Sequence, residues 1–212
     1  MYKIALIDDC EDQYENYKYR LGKKGIDLLF MEYKEDYKEI INWLLDNQIQ
    51  FVLIDYKLDL QYNFCGSQLM QYINNAVPDL QCVLFTSNTV DDDLVMDRLK
   101  IDKSVFNTDG KEYIEFIETI KQAVNVFEKR KKMIEEQYLK LKNKKDSGKI
   151  TALEEEELVS YYKILSSYGI VEKIPEEMLS PKVEKKIDKL ISEVEEYLLN
   201  KRIKWEEYME LK

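Results

Sequence analysis

The chain has 212 residues, 45% of them hydrophobic, with a formal net charge of −10 and no histidine at all. That length suits one ordinary domain plus an appendage, and six glycines and three prolines argue against a linker-rich or disordered chain. Without histidine, Ser-His and Cys-His nucleophilic chemistry, histidine zinc sites and phosphohistidine donation are all excluded.

Cys10, Cys65 and Cys82 have no CxxC spacing, which fits a reducing compartment. No apolar run approaches a membrane span and the N-terminus carries no signal-peptide pattern, so a soluble, cytoplasmic protein is expected. The segment 128–149 is net basic between two net acidic regions. On a helix such a run reads as a solvated face, too short for a nucleic-acid surface.

In chain order, the first half alternates short apolar runs with helical spacing. Strands are expected at Lys3–Asp8, Ile26–Tyr33, Phe51–Asp55, Gln81–Thr86 and Lys103–Asn107. Helices are expected near 11–24, 36–47, 66–76 and 90–99. Most of the strands are apolar throughout, as strands buried on both faces must be. The pattern therefore predicts an α/β fold, a doubly wound five-stranded parallel sheet.

From Gly110 the spacing of Ile117, Ile120, Val124, Phe127, Ile134, Tyr138 and Leu141 predicts one helix of about seven to nine turns, with Lys131 the one polar seam position. Lys142–Lys149 breaks it. Thr151 and Glu154 then form a capping box before a helix bearing Leu158, Tyr162 and Leu165. Ser180-Pro181 opens a last helix with Val183, Ile187, Leu190, Val194 and Leu198 on its seam. The expected organisation is a sheet domain over 1–127 and an all-α extension over 128–212. The seam past Phe127 is expected to serve as an interaction surface, covered within the chain or across a dimer.

In a doubly wound sheet, ligands sit outside the carboxyl ends of the strands. Asp8, Asp9, Asp55 and Thr86 all fall there. Three carboxylates in one place repel unless a cation lies between them, and an all-oxygen donor set favours Mg²⁺. A carboxylate beside such an ion is a competent nucleophile toward phosphorus, and Thr86 adds a hydroxyl for a phosphoryl oxygen.

On these residues, with Gly66 and the (βα)5 order, the segment 1–127 resembles the receiver domain of two-component response regulators. The resemblance implies Asp55 as phospho-acceptor, with Mg²⁺ held by Asp9 and Asp55, by Asp8 through water, and by the main-chain carbonyl of Lys57. It implies a sensor histidine kinase or phosphotransfer protein as donor, and no enzymatic activity beyond self-catalysed phosphotransfer and its hydrolysis. The family's strand-five lysine aligns with Asn107, its aromatic switch with Ser104 and a loop proline with Asp59. Lys103, on the strand face opposite Ser104, is not expected to reach the site without a register slip. A pseudo-receiver used only for docking is the alternative. The acidic tail offers no basic recognition helix, which ranks DNA binding below a protein partner or self-association through the helices.

Overall fold

The computed structural model describes residues 1–58, 62–87, 100–172, 189–190, 192–194 and 197. It divides into two compact units, Met1–Val171 and Glu172–Lys212.

In the first unit, five parallel strands form one sheet in the order β2-β1-β3-β4-β5. They are β1 (Tyr2–Ile7), β2 (Ile26–Phe30), β3 (Phe51–Ile54), β4 (Gln81–Phe85) and β5 (Lys100–Ile101). Ile4 to Ile7 and Phe51 to Ile54 are all buried. This uninterrupted burial follows from helices on both faces, as the apolar runs predicted. The order reverses between β1 and β3, so the crevice at their carboxyl ends is the natural ligand position.

Among the described residues, three helices connect these strands: α1 (Tyr14–Gly22), α2 (Tyr37–Asp46) and α3 (Gly66–Ala76). Asp36 caps α2 by accepting from the Glu39 N–H at 2.9 Å, and Ile40, Ile41 and Leu44 turn inward. Gly66 opens α3 against the end of β3, and a Cβ there would overlap the Asp55 carbonyl oxygen. The helix expected at 90–99 and Asp59 lie outside the described residues.

The fifth strand differs from expectation. It is Lys100–Ile101, and Lys103–Phe106 forms a 3-10 turn. Asp102 caps that turn through a 2.7 Å bond from the Ser104 N–H, and Val105 and Phe106 are buried. The apolar pair that suggested a strand thus reaches the core from a turn of about three residues per revolution.

The long helix α4 runs from Lys111 to Asp146, 36 residues. At 1.5 Å per residue it spans about 54 Å, some ten turns and longer than expected. Its first half packs Tyr113, Phe116, Ile117, Ile120 and Val124 on the α1 side of the sheet. Further along, Phe127 and Ile134 join the core on the opposite side, with Ile49, Val77 and Leu80. Those three residues precede β3 and β4, and Gln50 Nε2 donates to Glu128 Oε1 at 2.8 Å. The helix therefore passes the amino edge of the sheet.

Gly148, at φ +67°, provides the left-handed turn that reverses the chain. Helix α5 (Ala152–Ser167) starts at the expected capping box, with Thr151 and Glu154 bonded reciprocally. Leu158, Tyr162 and Leu165 are buried on it, as are Ile134 and Leu141 on α4. Tyr138 and Tyr162 lie 6.4 Å apart, and Lys144 and Lys145 pair with Glu154 and Glu155. Beyond α5, the Tyr168 hydroxyl donates to Asp79 at 3.0 Å, and Arg130 lies 3.0 Å from the same carboxylate. The α4 seam is thus covered within the chain, and position 127 lies inside one compact unit rather than at a boundary.

In the second unit residues 189–190, 192–194 and 197 are helical, and Leu190, Val194 and Tyr197 are exposed. The start at Ser180-Pro181, with Val183, Ile187 and Leu198, lies outside the described residues. Among the described residues no helix is long and apolar enough to cross a membrane.

Candidate functional site

Each strand at the switch point ends in a polar residue that the sheet leaves buried: Asp8 after β1, Asp55 after β3 and Thr86 after β4, all at most 5% exposed. Asp9 is half-buried beside them. Asp8, Asp9 and Asp55 each present a carboxylate oxygen within 4.8 Å of the others. At that separation and an effective dielectric of about 20, each pair of charges repels by roughly 3 kcal/mol or more.

The backbone fixes these side chains. The Asp55 N–H donates to the Ile7 carbonyl at 2.8 Å, and the Gly66 N–H to the Tyr56 carbonyl at 2.9 Å. Asp8 Oδ1 accepts from the Cys10 N–H at 3.0 Å, and Asp55 Oδ2 from the Lys57 N–H at 3.1 Å. Lys57 therefore brings its main chain beside Asp55, while its residue as a whole is exposed.

Lys103 completes the cluster, contrary to expectation. Its Nζ lies 2.6 Å from Asp8 Oδ2 and 3.0 Å from Asp55 Oδ1, with the ammonium 5.9 Å from the Phe85 ring centroid. The 3-10 turn explains the reach, because the opposite-face rule for Lys103 and Ser104 holds only in a strand. Thr86 anchors that turn: its N–H donates to the Ile101 carbonyl at 3.1 Å, and its own carbonyl accepts from the Lys103 N–H at 3.4 Å. Asn107, aligned above with the family's lysine, is instead an exposed residue ending the turn, and Ser104 is exposed too. Among the described residues, Lys103 is the cation paired with these carboxylates. The Asp-Lys-Ser sequence at 102–104, an acid two residues before a serine, was the available signal for a capped turn.

Burial pushes the Asp8 carboxyl above its ordinary value, outweighing the lowering by Lys103 and by the Cys10 N–H. Burial works to lower the Lys103 ammonium, but its bonds to Asp8 and Asp55 prevail and hold it above the usual lysine value. Burial also raises the Tyr17 hydroxyl, which feels the charges of Lys103, Asp8 and Asp55.

A hard divalent cation fits this donor set. The three side chains offer only oxygen, and buried Asp55 Oδ1 has the Lys103 ammonium at 3.0 Å as its one partner among the described residues, which leaves a lone pair over. Such an atom retains lone-pair capacity for a metal.

No family model matches the chain, and no curated protein matches it. Among solved structures it is similar to the signal receiver domain of an HD domain-containing protein from Pseudomonas fluorescens Pf-5. That match has 16% identity and a TM-score of 0.47, covering 62% of this chain and 92% of the other. It is also similar to a response regulator receiver domain protein from Clostridium thermocellum, at 21% identity and a TM-score of 0.45, covering 63% and 98%. The chain's own architecture is a five-stranded parallel sheet with helices on both faces, followed by the α4–α5 hairpin.

Proposed function

We propose that this chain is a phosphorelay signalling protein, a response regulator receiver that accepts a phosphoryl group on Asp55. The observation that carries the reading is the convergence of Asp8, Asp9, Asp55, Thr86 and Lys103 on one crevice from four separate strand ends. Structural ion pairs alone give no reason for a third carboxylate or for a buried threonine at the same point.

In this reading a carboxylate oxygen of Asp55 bonds to phosphorus while the bond from phosphorus to the donor's leaving atom breaks. The leaving group is imidazole from a phosphohistidine or acetate from acetyl phosphate. Lys103 and Thr86 receive the charge on the phosphoryl oxygens. Asp8, Asp9, Asp55 and the Lys57 carbonyl would hold Mg²⁺, which when bound offsets the negative charge of acceptor and phosphoryl group together. No turnover beyond this self-modification and its hydrolysis is proposed.

The donor is a sensor histidine kinase or phosphotransfer protein. The output runs through the helices to a protein partner or a second copy, and the exposed Leu190, Val194 and Tyr197 are its apolar surface. The reading places the protein in the cytoplasm, off the membrane and off DNA. Beryllofluoride with Mg²⁺ tests it: shifts in the backbone NMR signals around Asp55, Thr86 and Lys103 are expected, and no change with either added sinks it.

A metal-independent docking module is the second reading. The observation favouring it is that the Lys103 ammonium already neutralises part of the acidic cluster. Unchanged spectra under the same titration support this alternative.

A further inference from the structure

The apolar seam of α4 is broken once, at Lys131, between Phe127 and Ile134. A cavity of about 250 Å³ lies there, beneath the amino edge of the sheet. Leu44, Leu80, Phe127 and Tyr168 line its floor, and Lys3, Gln50, Glu128 and Lys131 its rim.

The polar groups of the rim can be accounted for one by one. Gln50 is held in place at both ends of its amide: Oε1 accepts from the Lys3 N–H at 2.9 Å and one Nε2–H donates to Glu128 at 2.8 Å, leaving a second N–H. The Tyr168 hydroxyl is spent on Asp79. Among the described residues, Lys3 Nζ reaches only the Asn47 carbonyl, at 3.5 Å. Lys131 is half-buried, and its side chain makes no hydrogen bond or ion pair among the described residues. Two ammonium groups against the one carboxylate of Glu128 leave the rim positive, in a chain whose net charge is −10. An apolar residue at 131 would have continued the seam without uncovering a charge.

We propose that this cavity binds a small organic carboxylate with a short apolar body. The carboxylate sits on Lys131 and Lys3 through charge-assisted hydrogen bonds, and the body lies on Leu44, Leu80 and Phe127. At about 30 Å³ per water-sized group the cavity holds roughly eight heavy groups, the size of hexanoate. The ligand touches both the sheet core and the α4–α5 hairpin, so its binding ties the two together. The site lies at the sheet edge opposite Asp55 and does not depend on phosphotransfer there.

Methyl-detected NMR titration of the full chain with sodium hexanoate at constant ionic strength tests this, with hexanol and acetate as controls. Saturable shifts of the Leu44 and Leu80 methyl groups are expected with hexanoate, and about tenfold weaker binding for either control. Lys131→Met, which restores the apolar seam, should weaken hexanoate by a similar factor, while Lys131→Arg retains it. Absence of saturable shifts in the wild type overturns the proposal, as do equal affinities for hexanoate and hexanol. Hexanoate binding unchanged in Lys131→Met, or in Lys131→Gln should the methionine variant fail to fold, overturns it as well.

Discussion

Lys103 Nζ lies 2.6 Å from Asp8 Oδ2 although the two residues stand 95 positions apart in the chain. The pair joins the first strand to the turn after the last, and it brings the ammonium within 3.0 Å of Asp55 as well. A cation entering between the carboxylates must share them with Lys103.

Lys103→Met should therefore tighten divalent-cation binding while slowing phosphotransfer to Asp55 by about 10²-fold, because one charge opposite the phosphoryl oxygens is lost. Without metal the variant should be less stable than the wild type, since Asp8 stays buried and unpaired. Calorimetric Mg²⁺ titration and thermal melts with and without Mg²⁺ measure the two effects. Equal or weaker Mg²⁺ affinity in the variant contradicts the competition.

The raised Asp8 carboxyl fixes the sign of a pH effect. Between its unfolded and folded values the native state holds more protons than the unfolded one, so metal-free stability falls as pH rises through that window. Mg²⁺ affinity runs the opposite way and should weaken on acidification already above the ordinary aspartate range. Asp8→Asn should remove both dependences and leave the metal-free chain at least as stable near neutral pH. Chemical denaturation across a pH series checks this, and a wild-type profile rising through the window contradicts it.

Gly66→Ala should displace Asp55. The added Cβ would overlap the Asp55 carbonyl oxygen and come 2.9 Å from its carbon, and backbone cannot swing aside as a side chain does. A cost of about 1–3 kcal/mol is expected, together with slower modification of Asp55. Urea denaturation and phosphorylation kinetics of the variant measure both. Unchanged values for both show that the strand yields freely.

The α4–α5 hairpin should behave as part of the sheet unit. Leu165 is fully buried against the α2–α3 side, so Leu165→Ala should cost about 2–5 kcal/mol. Tyr168→Phe keeps the ring 5.4 Å from Phe127 and loses only the bond to Asp79, about 1 kcal/mol. A chain ending at 171 should melt as one cooperative unit, and one ending at 127 should be markedly less stable. Equal melting points for the two truncations contradict this. Ile134→Glu should act on folding of the hairpin rather than on self-association.

The legible part of the fold is the part whose apolar residues repeat over four or more positions. Strands β1 to β4 are such runs, and the capping box at Thr151 and Glu154 announced α5 directly. Strand β5 has two residues, too few for a period to register, and Val105 and Phe106 mimic a strand while burying themselves from a turn. That one mistaken period put Asn107 at the site and left Lys103 out of it. The coverage of Ile134 and Leu141 was equally hidden, because a seam on α4 shows that something packs there but not which helix. The carboxylates were readable since strand ends and switch points follow from chain order alone.

The most direct measurement is the intact mass of the full chain after incubation with acetyl phosphate and Mg²⁺. The account predicts one added phosphate that hydroxylamine removes, absent from Asp55→Asn and slowed in Lys103→Met. A wild-type chain that stays unmodified under these conditions, or an Asp55→Asn chain that gains the same hydroxylamine-labile phosphate, contradicts Asp55 as the acceptor.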